Sequence, residues 1–174
     1  NCFKPCLLEL SRLLTSIYYI EDIDSLRFAL SVHEFNLVKL QPHFPGYPIF
    51  SFVAKLLYFC TGNMGISFSI IGSVSLFIII FYSIKICKIE PISYPGIFLI
   101  LLLFFNPLIW LMSNRYMPDL MGLSISVMTL YYLIFDAERN KYLNYGYFLT
   151  GILFGTRLSY IPVLIIPIIY NIIT

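Results

Sequence analysis

Long apolar segments alternate with short polar ones along the chain, and this pattern predicts membrane-spanning helices. The hydrocarbon core of a bilayer needs about 20 apolar residues to cross it as a helix. A stretch over 142–173 is too long for one span and is interrupted at Gly155-Thr156-Arg157, so we divide it there. The predicted spans are 3–20, 64–84, 92–112, 117–135, 142–156 and 158–173.

The first of these spans contains two charged residues, Glu9 and Arg12, which lie three positions apart. Residues at this spacing share one face of a helix, so the two side chains are expected to pair or to face protein. The span is also expected to be shortened at its start.

Between the first two spans, residues 21–63 concentrate charge, histidine, proline and glycine. The polar and apolar positions of 24–36 alternate as in an amphipathic helix that lies in the membrane interface. Prolines then exclude a helix until about residue 47, and the apolar run over 49–60 is too short to cross a bilayer. We expect it to form a second interfacial or re-entrant helix that ends at Gly62-Asn63.

Composition supports a membrane protein. Apolar residues make up 59% of the chain, aromatic residues 18% and charged residues 11%, with a mean hydropathy of +0.86. These values are far from those of soluble domains. The sequence therefore predicts an all-α, polytopic integral membrane protein with about six transmembrane helices and amphipathic interfacial helices in its first external loop. Residues 1–174 form a single transmembrane domain, which we expect to be a piece of a longer protein.

The basic residues indicate the orientation of the spans. Lys85 and Lys88 follow the 64–84 span, and basic residues favour the cytoplasmic side. Alternation then places the DAERNK segment, with Arg139 and Lys141, on the same side and the 21–63 loop outside.

The net charge of +2 is too small to indicate a nucleic-acid partner. The four cysteines have no metal-binding or redox spacing, and we expect them to act as small apolar residues. They are Cys2, Cys6, Cys60 and Cys87.

This topology brings four polar elements to the outer face of the membrane. They are the acidic start of the loop, the QPHFPGYP turn, the connector over 113–119 and Arg157. Carboxylates there can activate a hydroxyl or hold a divalent cation, and an arginine can bind a phosphate through two hydrogen bonds. Together these groups favour an enzyme whose substrate is a lipid phosphate.

The sequence of this region resembles the GT-C class of polyprenyl-phosphate-dependent glycosyltransferases, which includes protein O-mannosyltransferases and the lipid A aminoarabinose transferase. The first external loop of similar members reads approximately D-S-x-R-[FY]-A-L and then H-x-P-G-Y-P. The matching residues here are Asp24, Ser25, Arg27, Phe28, Ala29, Leu30, His43, Pro45, Gly46, Tyr47 and Pro48. An acidic residue at the outer start of a span and a G-x-x-x-G-x-R-x-S segment also agree. These correspond to Asp119 and to Gly151, Gly155, Arg157 and Ser159.

The resemblance implies an inverting transferase that moves a sugar from a polyprenyl-phosphate donor to a protein, lipid or glycan acceptor. The enzyme would lie in a bacterial or archaeal cell membrane, or in the ER membrane of a eukaryote, with its active loop extracytoplasmic. A first-loop aspartate would act as base. Asp24 matches by position, but the family's Asp-Glu pair is missing here, so Asp22 is the alternative. The resemblance also implies substrate contacts and, in some members, a divalent metal cation. The corresponding residues are His43, Tyr47, Arg115 and Arg157 for substrate, and Asp119 for the metal.

Each of these residues also has a purely structural interpretation. His43 can be a hydrogen-bonding partner within the proline-rich turn. Arg115 and Arg157 can extend toward lipid headgroups, as long basic side chains commonly do. Asp119 can complement the dipole at the start of a helix. The rival class for the whole chain is a non-enzymatic transporter or membrane scaffold, in which the same charges line a path. We find no inverted repeat in the sequence to favour a transporter.

Overall fold

The structure is a computed structural model that describes residues 5–135 and 140–173. The regular elements within these residues are all helical, which confirms the all-α prediction. Most of the DAERNK loop, including Arg139, lies outside the described residues, as do Cys2 and the side chains of Cys6 and Lys141. The helices are α1 (Pro5–Leu14), α2 (Ile23–His33), α3 (Pro48–Thr61), α4 (Met64–Cys87), α5 (Tyr94–Phe104), α6 (Pro107–Asn114), α7 (Asp119–Leu130), α8 (Asn140–Thr156) and α9 (Ile161–Ile173). Short 3₁₀ turns cover Leu37–Lys39 and Leu158–Tyr160, and a π-helical turn covers Tyr131–Phe135.

Helix α4 is the centre of the fold, and α1, α3, α5, α6 and α7 all pack against it. It has 24 residues, and an 18-residue window within it has a mean hydropathy of 2.3. In the described part of the chain it is the one unbroken helix that is long and apolar enough to cross a bilayer. Small residues on α4 allow neighbouring backbones to come close. Gly72 is the tightest example, because a Cβ atom built there would lie 1.7 Å from the carbonyl oxygen of Ser113.

Helix α1 ends at Leu14, six residues before the end of the predicted first span. Side-chain hydroxyls explain this, because Thr15 and Ser16 donate hydrogen bonds to carbonyls of the last helical turn. Such local bonds compete with continuation of the helix. The next residues are not helical, and the carbonyl of Ile17 accepts a hydrogen bond of 2.7 Å from the hydroxyl of Tyr116.

Arg12 has a different partner from the one expected. Its side chain is fully buried, while Glu9 is exposed. The guanidinium lies 3.6 Å from the ring centroid of Trp110 and donates a hydrogen bond to the carbonyl of Phe104. Of the two expected alternatives, Arg12 therefore faces protein and does not pair with Glu9, and its cation packs on the ring of Trp110.

The predicted span over 92–112 is two helices, α5 and α6, which meet at an angle of 52°. Pro107 has no N–H to donate, and a residue before proline avoids the helical conformation. Asn106 occupies that position, and its side chain accepts hydrogen bonds from the backbone N–H groups of Leu108 and Ile109. Together, α5 and α6 meet the length and hydropathy of a second span if they are taken as one bent helix.

The final apolar stretch breaks where the sequence places its break. α8 ends at Thr156, Arg157 is extended, and α9 follows after one 3₁₀ turn. The two glycines before this break differ in their surroundings. A Cβ atom at Gly155 would lie 2.6 Å from the side chain of Ile49, whereas Gly151 has no atom within 4 Å of that position. Only Gly155 is therefore required for close packing.

Polar and apolar residues are distributed in an unusual way between interior and surface. Many buried side chains carry hydroxyl groups, and many large apolar side chains are exposed. The buried hydroxyl residues include Ser67, Ser69, Ser73, Ser113, Ser124, Ser126, Thr129 and Thr150. The exposed apolar residues include Phe98, Leu101, Leu102, Phe148, Phe154, Ile165, Ile166, Ile169 and Ile172. Four of them, Ile165, Ile166, Ile169 and Ile172, have the spacing of one helical face on α9, and large exposed apolar patches mark sites of contact with other proteins or with membranes.

Candidate functional site

The seven residues selected from the sequence meet through direct contacts between four separate segments. These segments are the start of α2, the loop before α3, the region around the start of α7, and the extended residue between α8 and the last 3₁₀ turn. The predicted convergence of polar elements is therefore present in the structure. The contacts fall into two groups, a chain of five residues and a smaller ion-pair cluster.

The first group is a continuous series of contacts that we call the polar chain, formed by Asp24, His43, Tyr47, Arg157 and Asp119. Asp24 Oδ1 lies 3.6 Å from His43 Nδ1, and His43 Nε2 lies 3.4 Å from the hydroxyl of Tyr47. Arg157 Nη1 donates to that hydroxyl at 3.3 Å, and Arg157 Nη2 lies 2.8 Å from Asp119 Oδ1. The polar chain thus joins two carboxylates through a histidine, a tyrosine and an arginine.

Donors and acceptors along the polar chain are mutually consistent for one tautomer of His43. With its proton on Nδ1, the ring accepts from Tyr47 at Nε2 and turns its buried Nδ1–H toward the Asp24 carboxylate. The separation of 3.6 Å between Nδ1 and Oδ1 is an electrostatic contact and is too long for a hydrogen bond. The Tyr47 oxygen then accepts from Arg157 while its own proton points to His43. The histidine selected as a turn residue or a substrate contact is therefore the link between Asp24 and the rest of the polar chain.

Tyr47 owes its place to an uncommon backbone conformation. It precedes α3 with φ of 45°, in the left-handed region that aromatic residues rarely adopt. Its side chain is buried, and its ring packs edge-on against Phe28 and His43. Gly46, with φ of 101°, makes this turn available. The turn formed by the PGYP sequence therefore directs the tyrosine hydroxyl inward, where it accepts a hydrogen bond from Arg157.

The second group is an ion-pair cluster of Glu21, Asp22 and Arg115. Arg115 Nε lies 2.8 Å from Glu21 Oε2, and its Nη2 contacts Asp22 Oδ2. Asp22 is also the N-cap of α2 and accepts a hydrogen bond of 2.6 Å from the backbone N–H of Ser25. Both oxygens of Asp22 are thus already engaged.

The pKa of Asp22 shows the effect of these partners. Partial burial opposes ionisation, but hydrogen bonding from Ser25 and the positive charge of Arg115 outweigh it and lower the pKa below the ordinary value of an aspartate. A carboxylate with a lowered pKa is a weaker base. Asp24, in contrast, is not a cap, and its side chain is 47% exposed, compared with 33% for Asp22.

The surroundings of Asp119 do not resemble a metal site. Its nearest charged partner is the Arg157 guanidinium, which repels a cation. Among the described residues, no three His, Cys, Asp or Glu side chains lie close enough together to hold a metal ion. A divalent cation is normally held by several oxygen ligands, and the described residues bring Asp119 alone to this position.

Arg157 has both a buried and a partly exposed side. Its Nε–H is buried and has no hydrogen-bond partner in the described part of the chain, while the side chain as a whole is 25% exposed. Next to it, Asp119 and Tyr160 border a small apolar cleft of about 150 Å³ between α6, α7 and the last 3₁₀ turn. The guanidinium is therefore linked to this cleft through Asp119, and its buried Nε–H has no partner among the described residues.

Three residues that the sequence did not select also shape the site. Arg27 donates to Asp24 at 3.2 Å, a contact that their spacing of three residues could have indicated. Glu21 shares Arg115 with Asp22. Gly122 lies one turn after Asp119, and a Cβ atom there would approach the Cβ of Arg157 to 2.6 Å. This glycine lets the backbone of α7 pass close to Arg157.

Comparisons of the chain with protein-family models, with curated proteins and with solved structures give no match.

Proposed function

We propose that the chain is part of a polytopic membrane glycosyltransferase of the GT-C type. It would transfer a sugar from a polyprenyl-phosphate donor to an acceptor at the extracytoplasmic face. The observation that carries this proposal is the polar chain, which connects a partly exposed carboxylate to an arginine whose partner, Asp119, lines an apolar cleft. The carboxylate can take the proton of the acceptor hydroxyl. The arginine can bind the phosphate of the lipid, and the cleft can hold apolar atoms next to that phosphate.

Membrane insertion is supported by the distribution of side chains. Apolar residues such as Phe98, Ile166 and Ile172 are more than 60% exposed, and in water they would remain uncovered. In lipid, the same surface is solvated favourably, and buried serines and threonines provide the polar contacts between helices. Lipid contact also explains why helices as short as α5 and α6 are so apolar.

The proposed reaction is a single displacement. Asp24 takes the proton of an acceptor hydroxyl, and that oxygen bonds to the anomeric carbon of the sugar. The bond from this carbon to the phosphate oxygen breaks, and the lipid phosphate leaves with the electron pair. Attack opposite the leaving group inverts the anomeric configuration. General-base assistance of this kind contributes roughly 10²- to 10⁴-fold to a rate.

The contacts favour Asp24 over Asp22 as the base. Asp22 is held by the α2 backbone and by Arg115, so using it would disrupt the start of the helix. Asp24 contacts Arg27 and His43, both through the same oxygen, Oδ1. Its other oxygen, Oδ2, forms no hydrogen bond or ion pair with the described residues.

The same comparison favours Arg157 over Arg115 as the phosphate ligand. Arg115 is shared by two carboxylates, which neutralise it. Arg157 pairs with one carboxylate, and its side chain is 25% exposed although its unsatisfied Nε–H is buried. Its planar guanidinium can bind a phosphate through two parallel hydrogen bonds, and this arrangement neutralises the charge that develops on the leaving group.

Replacement of Arg157 tests this role. Arg157→Lys is expected to fold normally but to raise the donor Michaelis constant about tenfold, because lysine keeps the charge and loses the paired hydrogen bonds. Arg157→Gln should raise it further. Lys39→Gln serves as the control, since Lys39 pairs with Glu34 in an exposed part of the same loop. Donor constants that are unchanged in both Arg157 variants would leave this arginine as a membrane anchor only.

The proposed topology makes a separate prediction about thiol labelling. Val38 is 95% exposed in the first loop, and the exposed Cys87 ends α4. In single-cysteine variants, Val38→Cys is expected to react with a membrane-impermeant maleimide in intact cells, whereas Cys87 should react only after lysis. Labelling of Cys87 alone in intact cells would show that α4 has the opposite orientation. Equal labelling of both sites before lysis would contradict a spanning α4.

A further inference from the structure

A second candidate site lies between the C-terminal part of α4 and the N-terminal part of α5. It is a groove of about 730 Å³, within the range of roughly 300–1,000 Å³ that small-molecule sites occupy. Its walls are almost entirely apolar, with Phe77 and Ile84 from α4 and Ile97 and Leu101 from α5. It shares no lining residue with the polar chain.

Two lysines are the charged residues that line this groove. Lys85 and Lys88 lie three positions apart at the end of α4, so both side chains can face the groove. The Lys85 ammonium lies 4.5 Å from the ring centroid of Phe81 and 5.2 Å from that of Tyr131. Neither lysine forms an ion pair with any residue that the structure describes. Glu90 is nearby in sequence, but it does not line the groove.

The combination of apolar walls and two cations limits what can occupy the groove. A neutral lipid would leave both ammonium groups without an anion, and a free phosphate would leave the apolar walls uncovered. A second protein chain packed over the groove would bury the two lysines, which is costly without carboxylate partners. An amphiphile with an anionic headgroup satisfies both features.

We propose that this groove binds an acidic membrane phospholipid, with its acyl chains along α4 and α5 and its headgroup at Lys85 and Lys88. Basic residues at the end of a membrane helix attract anionic lipids of the cytoplasmic leaflet. The aromatic rings around Lys85 hold its ammonium at the groove while leaving its charge available to the headgroup. The inference rests on the membrane insertion proposed above and is independent of sugar transfer.

Native mass spectrometry of the full chain in a neutral detergent tests the proposal. Phosphatidylglycerol and phosphatidylcholine with identical acyl chains are added in separate titrations, and the bound lipids are counted. Phosphatidylglycerol is expected to bind at least tenfold more tightly. Lys85→Gln combined with Lys88→Gln should remove most of this preference, because the acyl chains would then provide the affinity for both lipids.

Two further variants give the experiment its controls. Lys39→Gln combined with Lys55→Gln removes the same charge from exposed positions elsewhere and should keep the preference for phosphatidylglycerol. Ile97→Trp, at a position 46% exposed in the groove, should weaken binding of both lipids while the melting temperature stays near that of the wild type.

Several results would overturn the lipid site. These are equal affinity for the two lipids, an equal loss of preference in both double-lysine variants, or a dimer of the chain in place of a lipid adduct. The Lys85 and Lys88 variants should retain sugar transfer, which is measured separately. Failure of lipid selectivity alone therefore rejects the groove, and absence of sugar transfer alone rejects the proposed enzyme.

Discussion

Asp24→Asn is expected to reduce sugar transfer by roughly 10²- to 10⁴-fold, which is the contribution typical of a general base. The amide has the same shape as the carboxylate but cannot accept a proton at neutral pH. Stability should change little, because Asp24 is half exposed and its pair with Arg27 is the kind of surface contact that contributes about 1 kcal/mol or less. The measurements are the initial transfer rate with a polyprenyl-phosphate sugar and the melting temperature in detergent.

Asp22→Asn is the matched control for this prediction. Asparagine caps a helix as well as aspartate does, so α2 should keep its start while the charge pair with Arg115 is weakened. Transfer should continue in this variant. An inactive Asp22→Asn variant together with an active Asp24→Asn variant would identify Asp22 as the base. Full activity in both variants would rule out a carboxylate base in this loop.

Gly72→Ala is expected to have the largest effect on folding. The added Cβ would lie 1.7 Å from the carbonyl oxygen of Ser113 and 2.5 Å from its carbonyl carbon. These are backbone atoms of α6, so relief requires α4 and α6 to separate. Overpacking in a core costs about 1–3 kcal/mol and occasionally more. A loss of 3 kcal/mol corresponds to a fall of about 6–12 °C in melting temperature for a chain of this size.

Gly151→Ala provides the comparison for this effect. Gly151 is also a helical glycine, but it is exposed and has no atom within 4 Å of an added Cβ. Alanine is favoured over glycine within helices by up to about 1 kcal/mol, so the melting temperature should stay constant or rise slightly. Equal melting temperatures for the two alanine variants would contradict the close packing of α4 on α6.

The sequence predicted the elements of the site better than it predicted their partners. Apolar length and proline positions were sufficient to place α3, α4 and the break at Arg157, because these signals are local. The link from Arg157 to Tyr47 joins residues 110 positions apart and has no local signature. The same is true of Arg12, whose helical spacing suggested Glu9, whereas tertiary packing places it on Trp110.

Other differences arose from helix boundaries. The choice between Asp22 and Asp24 depends on which residue caps α2, and a shift of two residues exchanges their roles. The bend at Asn106-Pro107 does have a local signal, since asparagine before proline is a strong start for a new helix. A count of apolar residues over 92–112 ignores this signal, and this is why one span was expected in place of α5 and α6.

The proposed enzyme depends on the binding of a lipid-linked sugar beside Arg157, and this binding is tested most directly by mass spectrometry of lipids that co-purify with the protein. Asp24→Asn is the best variant for the measurement, because it should bind the donor without consuming it. The account predicts an intact polyprenyl-phosphate sugar in the Asp24→Asn preparation, and little or none when Arg157→Gln is added. Absence of any polyprenyl phosphate from Asp24→Asn, or an equal amount after Arg157→Gln, would contradict it.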